Sequence, residues 1–228
     1  MSDSDLKQRL AAILAADVAG YSRLMAADER ETVAALDSAR KIFRSHIEAC
    51  QGRVIDMAGD SVLAVFETVT GAVSSALAIQ EEINRSGETV PADRRMRFRI
   101  GVHLGDVMEK ADGTIYGDGV NIAARLEGLA EPGGITISDA VQGAVRGKVA
   151  ASFVDQGEQH VKNIPYPVRA FAVRAEGDIG TTSSSGIGEI APALPDKPSI
   201  AVLPFANTSA PRNALRSFRA TFCQRYFR

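Results

Sequence analysis

Apolar positions in the first third of the chain switch between two spacings. Residues 10–16, LAAILAA, form a short continuous apolar run that stops at Asp17 and is broken by Gly20. The alanines would suit a helix, but the shortness and the glycine predict a buried strand ending at Asp17. Residues 22–27 predict a short helical turn. From Asp28 the spacing becomes helical, with Val33, Leu36, Ala39, Phe43 and Ile47 on one stripe. Asp28-Glu29-Arg30-Glu31 has the form of a capping box at its start, and Gly52 ends it. Residues 52–66, GRVIDMAGDSVLAVF, place two apolar runs around Ala58-Gly59-Asp60-Ser61. This predicts a β-hairpin with Asp60 at its tip.

A second helix is expected over 69–83, with Ala72, Val73, Ala76, Ile79 and Ile83 on its apolar face. A polar loop with Gly87 and Pro91 follows. Residues 96–104 predict a strand, and Gly105-Asp106 predicts a turn into a second hairpin. Gly117-Asp118-Gly119 opens a third helix over 120–129, which Pro132-Gly133-Gly134 ends. Residues 135–137 predict a strand, and Ser138-Asp139 caps a helix to about residue 145. Residues 152–154, 159–162 and 169–174 predict closing strands. Hairpins mixed with helices, without strict alternation, predict an α+β fold with a largely antiparallel sheet. Residues 176–197 are rich in Gly, Ser, Thr and Pro and predict a linker. Residues 198–205 are strand-like, and 211–228 carry five arginines and no acid. They predict the truncated start of a further region or a disordered basic tail.

Composition narrows the choices. A content of 45% hydrophobic residues allows a globular core, and a net charge of -2 gives no overall basic field for nucleic acid. Two distant cysteines, Cys50 and Cys223, predict neither a zinc site nor a disulfide framework. The first ten residues lack the apolar core of a signal peptide, and no apolar run approaches membrane-spanning length. These features predict a cytoplasmic location, with no membrane contact within this chain.

Chemistry enters through two aspartates, Asp17 and Asp60, each placed at the end of a predicted strand. Paired carboxylates of this kind suit hard divalent ions and two-metal phosphoryl transfer. Gly59-Asp60 is also a good turn with no chemistry attached. Asn121 and Arg125, in IYGDGVNIAARLE, are four apart and share one helix face beside the small Ala123 and Ala124. An amide and a guanidinium side by side suit a sugar oxygen and a phosphate oxygen. The same pattern also describes a helix with a surface Asn and an ion-paired Arg.

Four segments together, AADVAGYS, GRVIDMAGDSVLAVF, FRIGVHLGDV and IYGDGVNIAARLE, resemble the catalytic domain of class III nucleotide cyclases over roughly residues 8–175. The resemblance implies a ferredoxin-like core in domain 1–175. It implies a homodimer with sites at its interface, and conversion of a nucleoside triphosphate to the 3′,5′-cyclic monophosphate and pyrophosphate. Asp17 and Asp60 match the family's metal aspartates, the Val18 carbonyl would add a ligand, and two Mg²⁺ or Mn²⁺ ions per site are implied. Arg99 matches a triphosphate-binding arginine, Asn121 the ribose-orienting residue, and Arg125 the arginine that stabilises charge on the α-phosphate. Lys162 is the nearest match to a phosphate-binding lysine.

One position departs from the adenylate pattern. Four residues before the second metal aspartate, where the family's adenine-reading lysine lies, this chain has Asp56, with Thr114 as its partner position. A lysine donates to adenine N1, and an ionised aspartate only accepts. Asp56 therefore either turns the site toward GTP or leaves adenine to Thr114 and the backbone. The expected activity is an adenylate cyclase acting on ATP, with a guanylate or dual-specificity cyclase as its near rival. A catalytically silent, nucleotide-sensing dimerisation module is the rival from another class.

Overall fold

Two 13-residue strands form the spine of the sheet. β1 (Leu6–Val18) and β4 (Phe98–Lys110) pair antiparallel along their whole length, from Leu6 opposite Lys110 to Val18 opposite Phe98. The computed structural model describes residues 6–160 and 166–175; the expected linker, the segment 198–228 and Lys162 lie outside the described residues. The remaining strands are β2 (Gly52–Asp56), β3 (Val62–Phe66), β5 (Ile115–Tyr116), β6 (Ile135–Ser138), β7 (Ala151–Gln159) and β8 (Val168–Ala175). They assemble in the order β2-β3-β1-β4-β6-β8-β7, with β5 added to β4. Among the described residues only the β4–β6 pairing is parallel. The expected α+β fold with a largely antiparallel sheet is the one observed.

Helices cover the two faces unequally. α1 (Tyr21–Ala27), α2 (Glu29–Ala49), α3 (Val69–Ser86) and α5 (Asp139–Val145) contribute Leu24, Phe43, Ile47, Ile79 and Val141 to the larger core. That core also takes Ala12, Leu14 and Ala16 of β1. The alternate β1 residues Ala11, Ile13 and Ala15 point the other way, toward Ala123 of α4 (Asp118–Leu129). Since side chains alternate across a strand, Asp17 falls on the α4 face. A single helix thus lies over the centre of that face, and its position matters for the site.

The structure corrects the expected turn at Gly105-Asp106. β4 continues through it, because β1 offers a partner at every position: Ala11 faces Gly105 and Leu10 faces Asp106. Gly105 serves close packing instead, since a Cβ there would come 3.2 Å from Gly119 Cα of α4. The hairpin falls later, at residues 111–114, where Tyr116 pairs back to Met108. Three smaller corrections follow. On α2 the inward stripe begins at buried Thr32, whereas Val33 is 42% exposed. Asp28 caps α2 through the Glu31 N–H, but the Asp28 N–H donates to the Leu24 carbonyl rather than to Glu31, so only half of the box forms. β7 runs unbroken from Ala151 to Gln159, so the segments expected near 152 and 159 belong to one strand with an irregularity between Asp155 and Glu158.

Candidate active site

Asp17 is the penultimate residue of β1, directly opposite Arg99 of β4. Arg99 Nη2 donates to Asp17 Oδ2 at 3.0 Å. Asp60 lies in the β2–β3 turn, where Gly59 takes a left-handed φ of 59° that glycine adopts without penalty. The Ser61 N–H donates to the Ala58 carbonyl at 3.1 Å and closes that turn. From α2, Arg40 Nη2 donates to the Met57 carbonyl at 3.3 Å and to the Gly59 carbonyl. The turn is therefore held from outside as well as from within, and its aspartate reaches the Asp17 carboxyl. Burial raises the Asp17 pKa above the ordinary carboxylate range, the Asp60 carboxyl raises it further by hydrogen bonding and charge, and Arg99 opposes both.

The chemistry of this donor set fits a divalent cation. Two carboxylates that repel one another, one of them partly desolvated, form a pair of hard oxygen donors whose charge a divalent ion would offset. Among the described residues no third His, Cys, Asp or Glu completes a ligand cluster with them, so further ligands would be backbone, water or substrate oxygens. Val18 is buried as a whole at 2% exposure, and because its side chain carries no donor atom only its carbonyl could serve as a ligand.

A third carboxylate approaches from α4. Glu127 Oε1 lies 3.1 Å from Arg99 Nε, with the two side chains 13% and 29% exposed. The contact is ionic and its angle is too poor for a hydrogen bond. Both atoms are out of water and have no hydrogen-bond partner among the described residues. Burial pushes the Glu127 carboxyl up to about 7; Arg99 pulls it down, and Asp17 and Asp60 add to the rise. Glu127 was not singled out by sequence, where it is one more acid in a helix. The helix comes this close because Gly101 of β4 has no side chain. A Cβ there would stand 2.2 Å from the Ala123 carbonyl oxygen and 2.3 Å from the Glu127 nitrogen.

The other expected residues are placed separately. Asn121 and Arg125 are exposed on the outward side of α4, while Ile122, Ala123 and Leu126 are buried on its inward side. Among the described residues no hydrogen bond or ion pair joins Asn121 or Arg125 to Asp17 or Asp60. Asp56 is exposed at the end of β2, beside a register shift opposite Leu63. Thr114 is partly buried in the β4–β5 hairpin, and its N–H donates to Asp112. Arg53 of β2 ties these two regions together, with donors to the Gly113 carbonyl at 3.1 Å and to Glu109 at 2.6 Å. Ser138 precedes α5 as expected but makes no side-chain cap bond to it; its hydroxyl instead meets His103 Nδ1 at 2.9 Å. Burial lowers the His103 pKa to about 4, against a smaller upward pull from Asp139.

Comparison with known proteins bears on this arrangement. The family model described as "Adenylate and Guanylate cyclase catalytic domain" matches residues 7–175. The chain is 43% identical over 210 residues to a Rhizobium meliloti (strain 1021) protein named "Putative adenylate cyclase 3", covering 92% of this chain and 35% of that one. The chain thus spans about a third of that relative's length. Among solved structures, an adenylate/guanylate cyclase/hydrolase from Silicibacter pomeroyi superposes with a TM-score of 0.69 at 40% identity, over 74% of this chain and 98% of that one. The adenylyl cyclase CyaB from P. aeruginosa shares the fold, with a TM-score of 0.64 at 21% identity over 75% and 96% of the two chains.

Proposed function

The chain belongs to the adenylate and guanylate cyclase catalytic domain family, and from that premise we propose that it converts ATP to 3′,5′-cyclic AMP and pyrophosphate at sites shared by two copies of itself. The observation that carries this reading is the convergence of Asp17 and Asp60, from the end of β1 and the β2–β3 turn, beside a guanidinium that offsets only part of their charge. Divalent ions bound there, Mg²⁺ or Mn²⁺, would lower the pKa of the attacking hydroxyl and screen the phosphates.

The chain's own residues supply the rest. The 3′-oxygen forms a bond to the α-phosphorus while the bond to the bridging oxygen of pyrophosphate breaks, and the hydroxyl proton passes to solvent. Asn121 holds the ribose for in-line attack. Arg125 meets the charge that grows on the α-phosphate, an electrostatic contribution of roughly 10²–10³ in rate. Arg99 and Lys162 complete the expected substrate contacts, with Arg99 already engaged by Asp17. Because Asn121 and Arg125 face outward on α4, a second copy is the natural recipient of their contacts. A separate apolar patch lies on the sheet face away from α4: Leu6, Leu10, Met108 and Tyr116 are all at least 45% exposed, and the β1–β4–β5 register puts them on the side of Ala12 and Leu14. An exposed apolar patch of this kind marks an interaction surface. Residues 176–197 would link this domain to a further region beginning near 198. Among the described residues no helix is long and apolar enough to cross a membrane.

Asp56 favours a second reading, in which guanine is the base. Its exposed carboxylate can accept from guanine N1–H and N2–H. The test is product formation from ATP and GTP in parallel, with Mg²⁺ and Mn²⁺, beside Asp17→Ala. Cyclic AMP that disappears in Asp17→Ala supports the first reading. Cyclic GMP alone moves the activity to GTP, and Asp56→Lys should then reverse the preference. No product from a folded dimer refutes both and leaves a nucleotide-sensing module.

A further inference from the structure

Resting on the reading of Asp17 as a metal ligand, we propose that Glu127 is a positioning residue for Asp17, acting through Arg99. Three observations meet at this point. Arg99 is shared: its Nη2 bonds Asp17 Oδ2 at 3.0 Å and its Nε lies 3.1 Å from Glu127 Oε1. Glu127 is committed to that contact, because its Oε1 is out of water and has no hydrogen-bond partner among the described residues. The approach is built into the backbone, since any side chain at Gly101 would collide with the main chain of Glu127 itself.

The consequence is electrostatic. A guanidinium that belonged to Asp17 alone would neutralise the carboxylate and compete with a cation for it. Glu127 takes part of that charge, so Arg99 fixes the direction of the Asp17 carboxylate without cancelling it. Glu127 also lies two residues beyond Arg125 on α4. The helix that presents Asn121 and Arg125 outward thus carries, on its inner side, the group that adjusts this protomer's own aspartate. A shift of α4 would reach both places together.

The test is a double-mutant cycle on the full chain, read as Mn²⁺ affinity by spin-resonance titration with a non-cyclisable ATP analogue, and with the GTP analogue in parallel. Glu127→Gln keeps the shape and removes the charge. It should weaken Mn²⁺ binding about 10-fold, as loss of outer-shell partners commonly does. In an Arg99→Gln background the same change should alter affinity by less than about twofold, since the path is gone. Glu127→Asp, which retains the charge, should recover part of the loss, and it carries the test if Glu127→Gln fails to fold. Asp17-dependent Mn²⁺ binding that Glu127→Gln leaves unchanged overturns this proposal alone, as does an equal loss in both backgrounds. A wild-type chain with no Asp17-dependent Mn²⁺ binding overturns the metal-site reading and this proposal with it.

Discussion

Gly101→Ala adds one methyl group at the tightest contact between the sheet and α4. The new Cβ would stand 2.2 Å from the Ala123 oxygen, 2.3 Å from the Glu127 nitrogen and 2.9 Å from the Glu127 Cα, where ordinary contact begins at 3.4 Å. All three neighbours are backbone, so no side chain can swing away, and α4 must retreat by about 1 Å to relieve the overlap. That retreat loosens Ile122, Ala123 and Leu126, which are at most 3% exposed. Overpacking of this kind costs about 2–3 kcal/mol. At roughly 2–4 °C per kcal/mol for a domain of this size, the unfolding midpoint should fall by about 5–10 °C. The effect on turnover should be larger than the effect on stability, because Asn121, Arg125 and Glu127 all move with the helix. A displacement near 1 Å at reacting groups can cost about 10²-fold. Calorimetry gives the midpoint, and turnover measured well below it gives the rate. Gly143→Ala is the control: it lies in α5 with nothing within 4 Å of its Cβ, and should be neutral or stabilising by up to about 1 kcal/mol. A Gly101→Ala chain with wild-type midpoint and rate would refute the close packing of α4 on β4.

Other outcomes can be checked separately. Arg40→Met removes the donors to Met57 and Gly59; it should speed hydrogen exchange in the turn around Asp60 and raise the Mn²⁺ requirement about 10-fold. His103 titrates near 4 in the fold against 6.5 otherwise. Between those values only the unfolded chain gains the proton, so its share of stability is complete above 6.5 and is lost as pH falls toward 4. His103→Gln should flatten that acid limb in a series of melts across pH. Glu127 acts in the opposite sense, because its folded pKa is raised to about 7 from 4.5. Its share is present below 4.5 and is lost as pH rises through 7, so Glu127→Gln should gain on the metal-free wild type as pH rises over that range.

Local signals made the strands around both aspartates readable. The run ending at Asp17 and the hairpin at residues 52–66 carry their patterns within a few residues, and both formed as expected. Gly105-Asp106 misled because a glycine–aspartate pair has the chemistry of a turn, while its true partner, Leu10–Ala11 of β1, is far away in the chain. Val33 misled for a related reason: two adjacent residues both fit a helical stripe, and only the packing partners choose Thr32. Ser138 looked like a cap until His103, on another strand, claimed its hydroxyl. Arg40 and Glu127 were silent in the sequence, because each acts on a turn or a strand distant along the chain. Asn121 and Arg125 were readable as a shared helix face, but one protomer alone gives that face no ligand, and a second copy is proposed to bring it.

Complementation between two inactive variants tests the shared site most directly. Asp17→Ala removes the carboxylate proposed to hold metal and Arg125→Ala the guanidinium proposed to stabilise charge on the α-phosphate, and each homodimer should form almost no cyclic nucleotide. When the two are refolded together in equal amounts, about half of the dimers are mixed, and each mixed dimer holds one intact site and one that lacks both groups. A site built from two copies predicts a return to about a quarter of wild-type turnover. A mixture that is shown to contain mixed dimers yet stays as silent as its parts would contradict a site shared between two copies of the chain.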